Sequence, residues 1–247
     1  MSDWKNTQDT RPGFGTTPHV GGQVDARASY DEGLRSYMLK IYNYMASGVL
    51  LTGIVALAAA TTGVTAAIMG SGLGIVVAFA PLAFILVMNF GLHKMSYTTL
   101  QIVFWSFATV MGLSVSWIFL AFTGASIATT FFATAAAFAG LSLWGYTTKK
   151  DISGWGSFLI MGVIGLLVAM LVNLFLQSEA MAFVISGIGV LVFAGLTAYD
   201  TQRLKEQYQY LRGTDMMGKA VIMGATSLYL DFVNMFMFLL QFLGSRE

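Results

Sequence analysis

Two carboxylates stand among apolar residues: Asp231 in SLYLDFVNMFMFLLQFLG and Asp200 in GLTAYDTQRLKEQY. At the centre of a membrane span a carboxylate costs roughly 2.5–3.5 kcal/mol on insertion scales, so such residues usually face a protein interior or a water cavity. Ser227, Asp231, Asn234 and Gln241 fall within an arc of about 80° when successive residues turn about 100°, giving this helix one polar stripe. The stripe suits ion or proton handling; hydrogen bonding to neighbouring helices is the ordinary alternative. Asp200 stands beside basic residues, where pairing with Arg203 is equally ordinary. Two carboxylates that approach each other cannot both ionise easily. Together they read as a proton-sensitive latch, sharing a proton when closed and repelling when open. Lys94, with His93 beside it and Asn89 one turn back, is a candidate counter-charge. A lysine snorkelling to the inner surface is the ordinary reading of the same residue.

The elements that position these groups are membrane spans. Hydrophobic residues make up 56% of the 247-residue chain and charged residues 10%, against about 25% charged in an average soluble domain. A span needs about 20 mostly apolar residues. Seven stretches qualify, at about 38–60, 70–92, 101–122, 126–146, 155–177, 180–201 and 220–243. Pro81 is expected to kink the second, and the alanine-rich fourth suits close helix packing. Gly70 with Gly74 and Gly187 with Gly189 read as small-residue helix contacts, and Asn173 with Gln177 as cross-helix polar packing. The sixth is expected to continue past its span, with Gly213 as a stop. From residue 220, Asp231 lies about 16 Å along its helix. It meets Asp200 if the sixth helix runs deep or tilted, or if the seventh begins outside the membrane.

With the amino terminus inside, twelve of thirteen basic residues fall on inner segments and only Arg246 falls outside. This basic bias sets the expected orientation, amino terminus in and carboxyl terminus out. Residues 1–30 contain Pro12, Pro18 and few large apolar residues, and are expected to form a disordered cytoplasmic tail ahead of a transmembrane domain over 31–247. No early apolar core marks a signal peptide, so the first span reads as an uncleaved anchor.

Several function classes fall away. A net charge of +1 does not support a nucleic-acid partner. The chain has no cysteine and two histidines, His19 and His93, which argues against thiolate, haem or multi-histidine centres, and no cofactor is expected. Esterase, metalloprotease and nucleotide-binding motifs do not occur. The YD and LD settings lack the glycine pattern of intramembrane aspartyl proteases, so no enzyme activity is expected. A calcium site needs 6–8 oxygen ligands, which makes any calcium contact at Asp200 and Asp231 transient.

GLTAYDTQRLK at 195–205 and SLYLDFVNMF at 227–236 resemble the paired signatures of the transmembrane Bax-inhibitor motif family. LHKMSYTTLQ, VMGLSVSWIF and RSYMLKIYNYMASGVLLTG are similar to its earlier helices, so the resemblance spans roughly residues 30–245. It implies an all-α, seven-transmembrane-helix bundle with a central seventh helix. It implies a pH-sensitive leak for cations, chiefly calcium, with Asp200 and Asp231 as the latch. The family's helix-two arginine has no arginine counterpart here, and Lys94 with His93 stands in the matching region. A lysine cannot make the arginine's bidentate fork. The tail is most similar to the bacterial branch, which implies an inner-membrane location. A non-transporting regulator of a membrane protease such as FtsH is the alternative, using the tail as a handle.

Overall fold

The computed structural model describes residues 20–245, and side chains from residue 30 onward. Among the described residues nine helices form an all-α bundle. They are α1 (Val20–Thr61), α2 (Val64–Gly70), α3 (Gly74–Gly91), α4 (Tyr97–Val115), α5 (Ile118–Ala121), α6 (Gly124–Thr147), α7 (Trp155–Leu176), α8 (Glu179–Leu211) and α9 (Met216–Leu243). Seven stretches are long and apolar enough to cross a membrane, with α4 and α5 sharing one of them. All seven coincide with the expected spans. Residues 1–19 of the expected tail lie outside the described residues, and α1 starts at Val20, ahead of the expected boundary at residue 30.

Local chemistry places the helix ends. Ser96, Thr123 and Ser178 each accept a backbone N–H from the first turn of α4, α6 and α8, relieving donors that have no partner inside the helix. Gly213 takes φ 77 in the four-residue turn between α8 and α9, as expected of a stop. Gln177 closes α7 in the left-handed region at φ 50, while the Asn173 side chain accepts the Ser178 amide. The Asn173 side chain therefore holds the α7–α8 connection, and Gln177 ends the helix through its backbone. α3 runs unbroken through buried Pro81.

The seventh span is central. In α9, 72% of the most apolar stretch is buried, against 11–33% for the other six. It packs on α8, α1, α6 and α4, while α3 leans on α4 and α7 leans on α8. Tyr229 of α9 is fully buried and its hydroxyl lies 2.6 Å from Thr52 of α1. Thr52 in turn donates to the Ala108 carbonyl of α4 at 2.9 Å. With its only proton committed, Thr52 accepts from Tyr229, and three helices are joined by one satisfied polar chain.

Small residues set the spacing elsewhere. A Cβ on Gly145 of α6 would strike the Ala198 carbonyl of α8, and one on Gly189 would strike the Phe238 ring at 2.5 Å. Gly70 has no neighbour within 4 Å and Gly74 only ordinary contacts, so of the expected glycine contacts the close one is at Gly189. Gly140, also on α6, faces open space. Gly145→Ala should therefore force α6 from α8 at a cost of about 1–3 kcal/mol, whereas Gly140→Ala should be neutral or slightly stabilising. Thermal unfolding of the two variants in detergent micelles separates these outcomes, and equal midpoints would refute the close approach.

Candidate functional site

The antiparallel pair α8–α9 forms the largest helix contact, and its turn fixes the register. Asp200 lies eleven residues before Leu211, and Ser227 lies eleven residues after Met216. The two thus stand at equal depth, and Ser227 donates a short hydrogen bond to Asp200 Oδ2. Asp231 is one turn further along α9, about 6 Å at 1.5 Å per residue. α9 begins four residues earlier than expected, and α8 runs eleven residues beyond Asp200. Both helices extend at the same end, which brings the two aspartates into one neighbourhood.

Asp200 and Asp231 are each 5% exposed. Arg203, one turn after Asp200 on α8, places Nη2 3.3 Å from Asp200 Oδ1. The same nitrogen lies 3.4 Å from Ser227 Oγ, and the guanidinium sits 5.8 Å from the Tyr199 ring centre. Asp231 lies within the electrostatic reach of both Asp200 and Arg203. The site thus gathers two carboxylates and one guanidinium. His93 and Lys94 lie exposed in the turn after α3, and the cation within ion-pair distance of Asp200 is Arg203. Lys219 of α9 reaches that turn, donating to the Leu92 carbonyl at 3.3 Å.

Buried polar atoms without a hydrogen-bond partner are few in folded proteins. Among the described residues they are Tyr37 OH, Arg203 Nε and Asp231 Oδ2. Arg203 acts electrostatically on both Tyr37 and Asp231, so the three belong to one region. Tyr37 of α1 is 3% exposed and packs against Tyr208. It carries no sequence signal beyond an aromatic on the buried face of α1.

A cavity of about 480 Å³ leads inward from the α8–α9 turn and is lined by Asn89, Arg203, Gln207, Tyr210, Met216 and Ser227. Arg203 and Ser227 among its lining residues are both bonded to Asp200. At the opposite end of the bundle a second cavity, about 440 Å³, is lined by Asn173, Glu179, Ser186 and Gln241. Gln241 accepts from Ser186 at 3.5 Å, and Asn234 spends its amide on the Leu230 carbonyl of its own helix. Gln241 is ten residues, about 15 Å, beyond Asp231. Between them Phe236 and Leu240 pack with Ile118, Phe122 and Ile127 in an apolar layer. The expected polar stripe is therefore discontinuous: Ser227 joins Asp200, Gln241 belongs to the far cavity, and an apolar layer lies between.

The loop 148–154 is held against α8. Gln202 accepts the Ile152 amide at 2.9 Å and donates to the Lys150 carbonyl at 2.8 Å. Lys205 donates to the Tyr146 carbonyl at 2.7 Å. In the same loop Asp151 is exposed, and Ser153, through its hydroxyl and then its amide, holds the Asp151 carboxyl below the usual carboxylate range. Gln202 sits two residues after Asp200, and sequence alone offers no signal that its amide pins a loop.

A family model described as "Inhibitor of apoptosis-promoting Bax1" matches residues 34–247. An uncharacterised protein of Caulobacter vibrioides is 48% identical over 236 residues, covering 90% of this chain and 93% of the relative. An uncharacterised protein of Rickettsia prowazekii is 47% identical over 221 residues, covering 89% and 93%. The inner membrane protein YbhL of Escherichia coli is 42% identical over 221 residues, covering 87% of this chain and 94% of the relative.

Gln202→Ala should strand the Ile152 amide and the Lys150 carbonyl and release the loop from α8. Limited trypsin digestion should then cut after Lys149 or Lys150 several-fold faster than in the unsubstituted protein. An unchanged digestion rate would show that Gln202 does not hold the loop.

Proposed function

The chain belongs to the Bax inhibitor family, and on that premise we propose that it is a pH-sensitive cation leak, chiefly for calcium, gated by Asp200 and Asp231. The observation that carries this reading is a buried Asp200–Arg203 ion pair on the central helix hairpin with a second buried carboxylate, Asp231, one turn away and its Oδ2 unpartnered. With Asp200 and Arg203 charged and Asp231 protonated, the group is neutral and α8 and α9 stay packed. Loss of the Asp231 proton leaves one uncompensated negative charge in the core, which is costly in low dielectric. That charge favours separation of the hairpin and admits a cation along Asp200 and Asp231. No covalent step is involved and no resident cofactor is needed.

The two end cavities supply the approaches in this reading, and the layer of Phe236, Leu240, Ile118 and Phe122 is the closed gate. Polar groups at both ends and an apolar constriction between them are the ingredients of a pore that gates by excluding water. The relative YbhL is named an inner membrane protein. We place this chain likewise in a bacterial inner membrane, oriented by its basic residues with the α8–α9 turn inside.

Calcium uptake into proteoliposomes, read with a trapped fluorescent indicator between pH 6 and 8, tests the reading. Flux through the unsubstituted protein should rise with pH as the Asp231 proton leaves. Asp231→Asn should hold the flux at the level seen at the acid end and flatten the profile. Arg203→Gln should displace the profile by removing the cation that offsets one carboxylate. Identical profiles in Asp231→Asn, Asp200→Asn and the unsubstituted protein would refute the latch.

A further inference from the structure

Helices α1 and α6 both pack on α9, and between them runs a groove of about 800 Å³. Its α1 wall includes Arg35, Tyr42 and Val49, one residue every seven, which keeps them on one helix face. Its α6 wall runs from Phe131 to Ser142 and Tyr146, and Phe232 of α9 forms the floor. Phe131 and Phe138 each meet the Phe232 ring at 5.6 Å between centroids, so the floor is fixed by aromatic packing. Small residues at Ala46, Ala135 and Ala139 leave the width open.

The groove is polar at one end only. Arg35, Tyr42, Ser142 and Tyr146 stand at that end, whereas Leu50 and Phe131 close the other. From residue 35 to 50 on α1, and from 131 to 146 on α6, each wall runs about 22 Å at 1.5 Å per residue. That exceeds one leaflet's share of a roughly 30 Å hydrocarbon core. Arg35 is exposed and has no ion pair among the described residues, although Asp31 lies one turn before it. A second cation reaches the same end: Lys205 Nζ lies 5.2 Å from the Tyr146 ring centre and bonds the Tyr146 carbonyl.

A tail-length apolar channel with Arg35 at one mouth, and Lys205 behind the Tyr146 that lines it, matches an amphiphile with a negative head. Both walls belong to candidate spans, so the medium beside the groove is lipid. We propose that this groove binds one anionic phospholipid, with an acyl chain along α1 and α6 and its phosphate at Arg35. The charge complementarity selects an anionic head over a zwitterionic one, and two helical walls with a Phe232 floor along about 22 Å distinguish the site from the general lipid annulus.

Native mass spectrometry of the purified full chain, titrated with phosphatidylglycerol or phosphatidylcholine carrying the same acyl chains, tests the site. One phosphatidylglycerol should be retained in preference to phosphatidylcholine. Arg35→Gln should lower phosphatidylglycerol retention about tenfold, to the level of phosphatidylcholine. Ala139→Phe should block the channel and abolish retention of both lipids. Ala46→Leu provides the same test with less added bulk, and circular dichroism checks that each variant folds. Leu171→Phe, on the exposed face of α7, should change nothing. Retention that is equal across all variants would reduce the groove to ordinary annular lipid and overturn the proposal. Competition by glycerophosphoglycerol, which has the head but no chains, would also overturn it, by showing an anion site without a tail channel.

Discussion

The cost of holding charge away from water governs this structure. Among the described residues the single ion pair is Arg203 with Asp200, and a second carboxylate, Asp231, shares its surroundings. A bundle that buries two acids against one base must enclose them with helices whose own polar groups are already satisfied. The Tyr229–Thr52–Ala108 chain and the Gln202 bridge to the 148–154 loop are two such satisfied groups on the same helices, α9 and α8. Central placement of α9 follows, because its polar residues would otherwise face lipid.

Much of this was legible in sequence. Span number, span limits and the inward aspartate follow from apolar run lengths and from the price of a charge in hydrocarbon. The extension of α8 to Leu211 followed from a polar stretch that still carries good helix formers, and the stop from Gly213. The beginning of α9 was less legible, because MMGKAVIMG is apolar enough to start a span at several places. Its four extra residues resolve how Asp200 and Asp231 share a neighbourhood.

The counter-charge was legible in part. Pairing of Asp200 with Arg203 is the ordinary reading of an acid beside basic residues, whereas the latch reading looks to Lys94, and sequence alone does not choose between them. Arg203 takes the role because it lies one helical turn from Asp200 and because Ser227 offers it a second contact from α9. Asn173 turns from the expected cross-helix contact for a related reason. Its spacing with Gln177 fits a helix face, but the chain turns left-handed at Gln177 and the Asn173 side chain accepts the Ser178 amide of the α7–α8 connection. Backbone dihedrals of that kind leave little trace in a hydropathy pattern.

The most buried helix is also synthesised after the other six spans. Until α9 leaves the ribosome, α1, α4, α6 and α8 have no common centre, and Thr52 has no tyrosine to accept from. The four-residue connection between α8 and α9 sets Asp200 and Ser227 at matching heights, so the last span carries its own register with the one before it. Quality control in the membrane would have a natural checkpoint here: a chain truncated before Met216 retains six spans and loses the core they were built around.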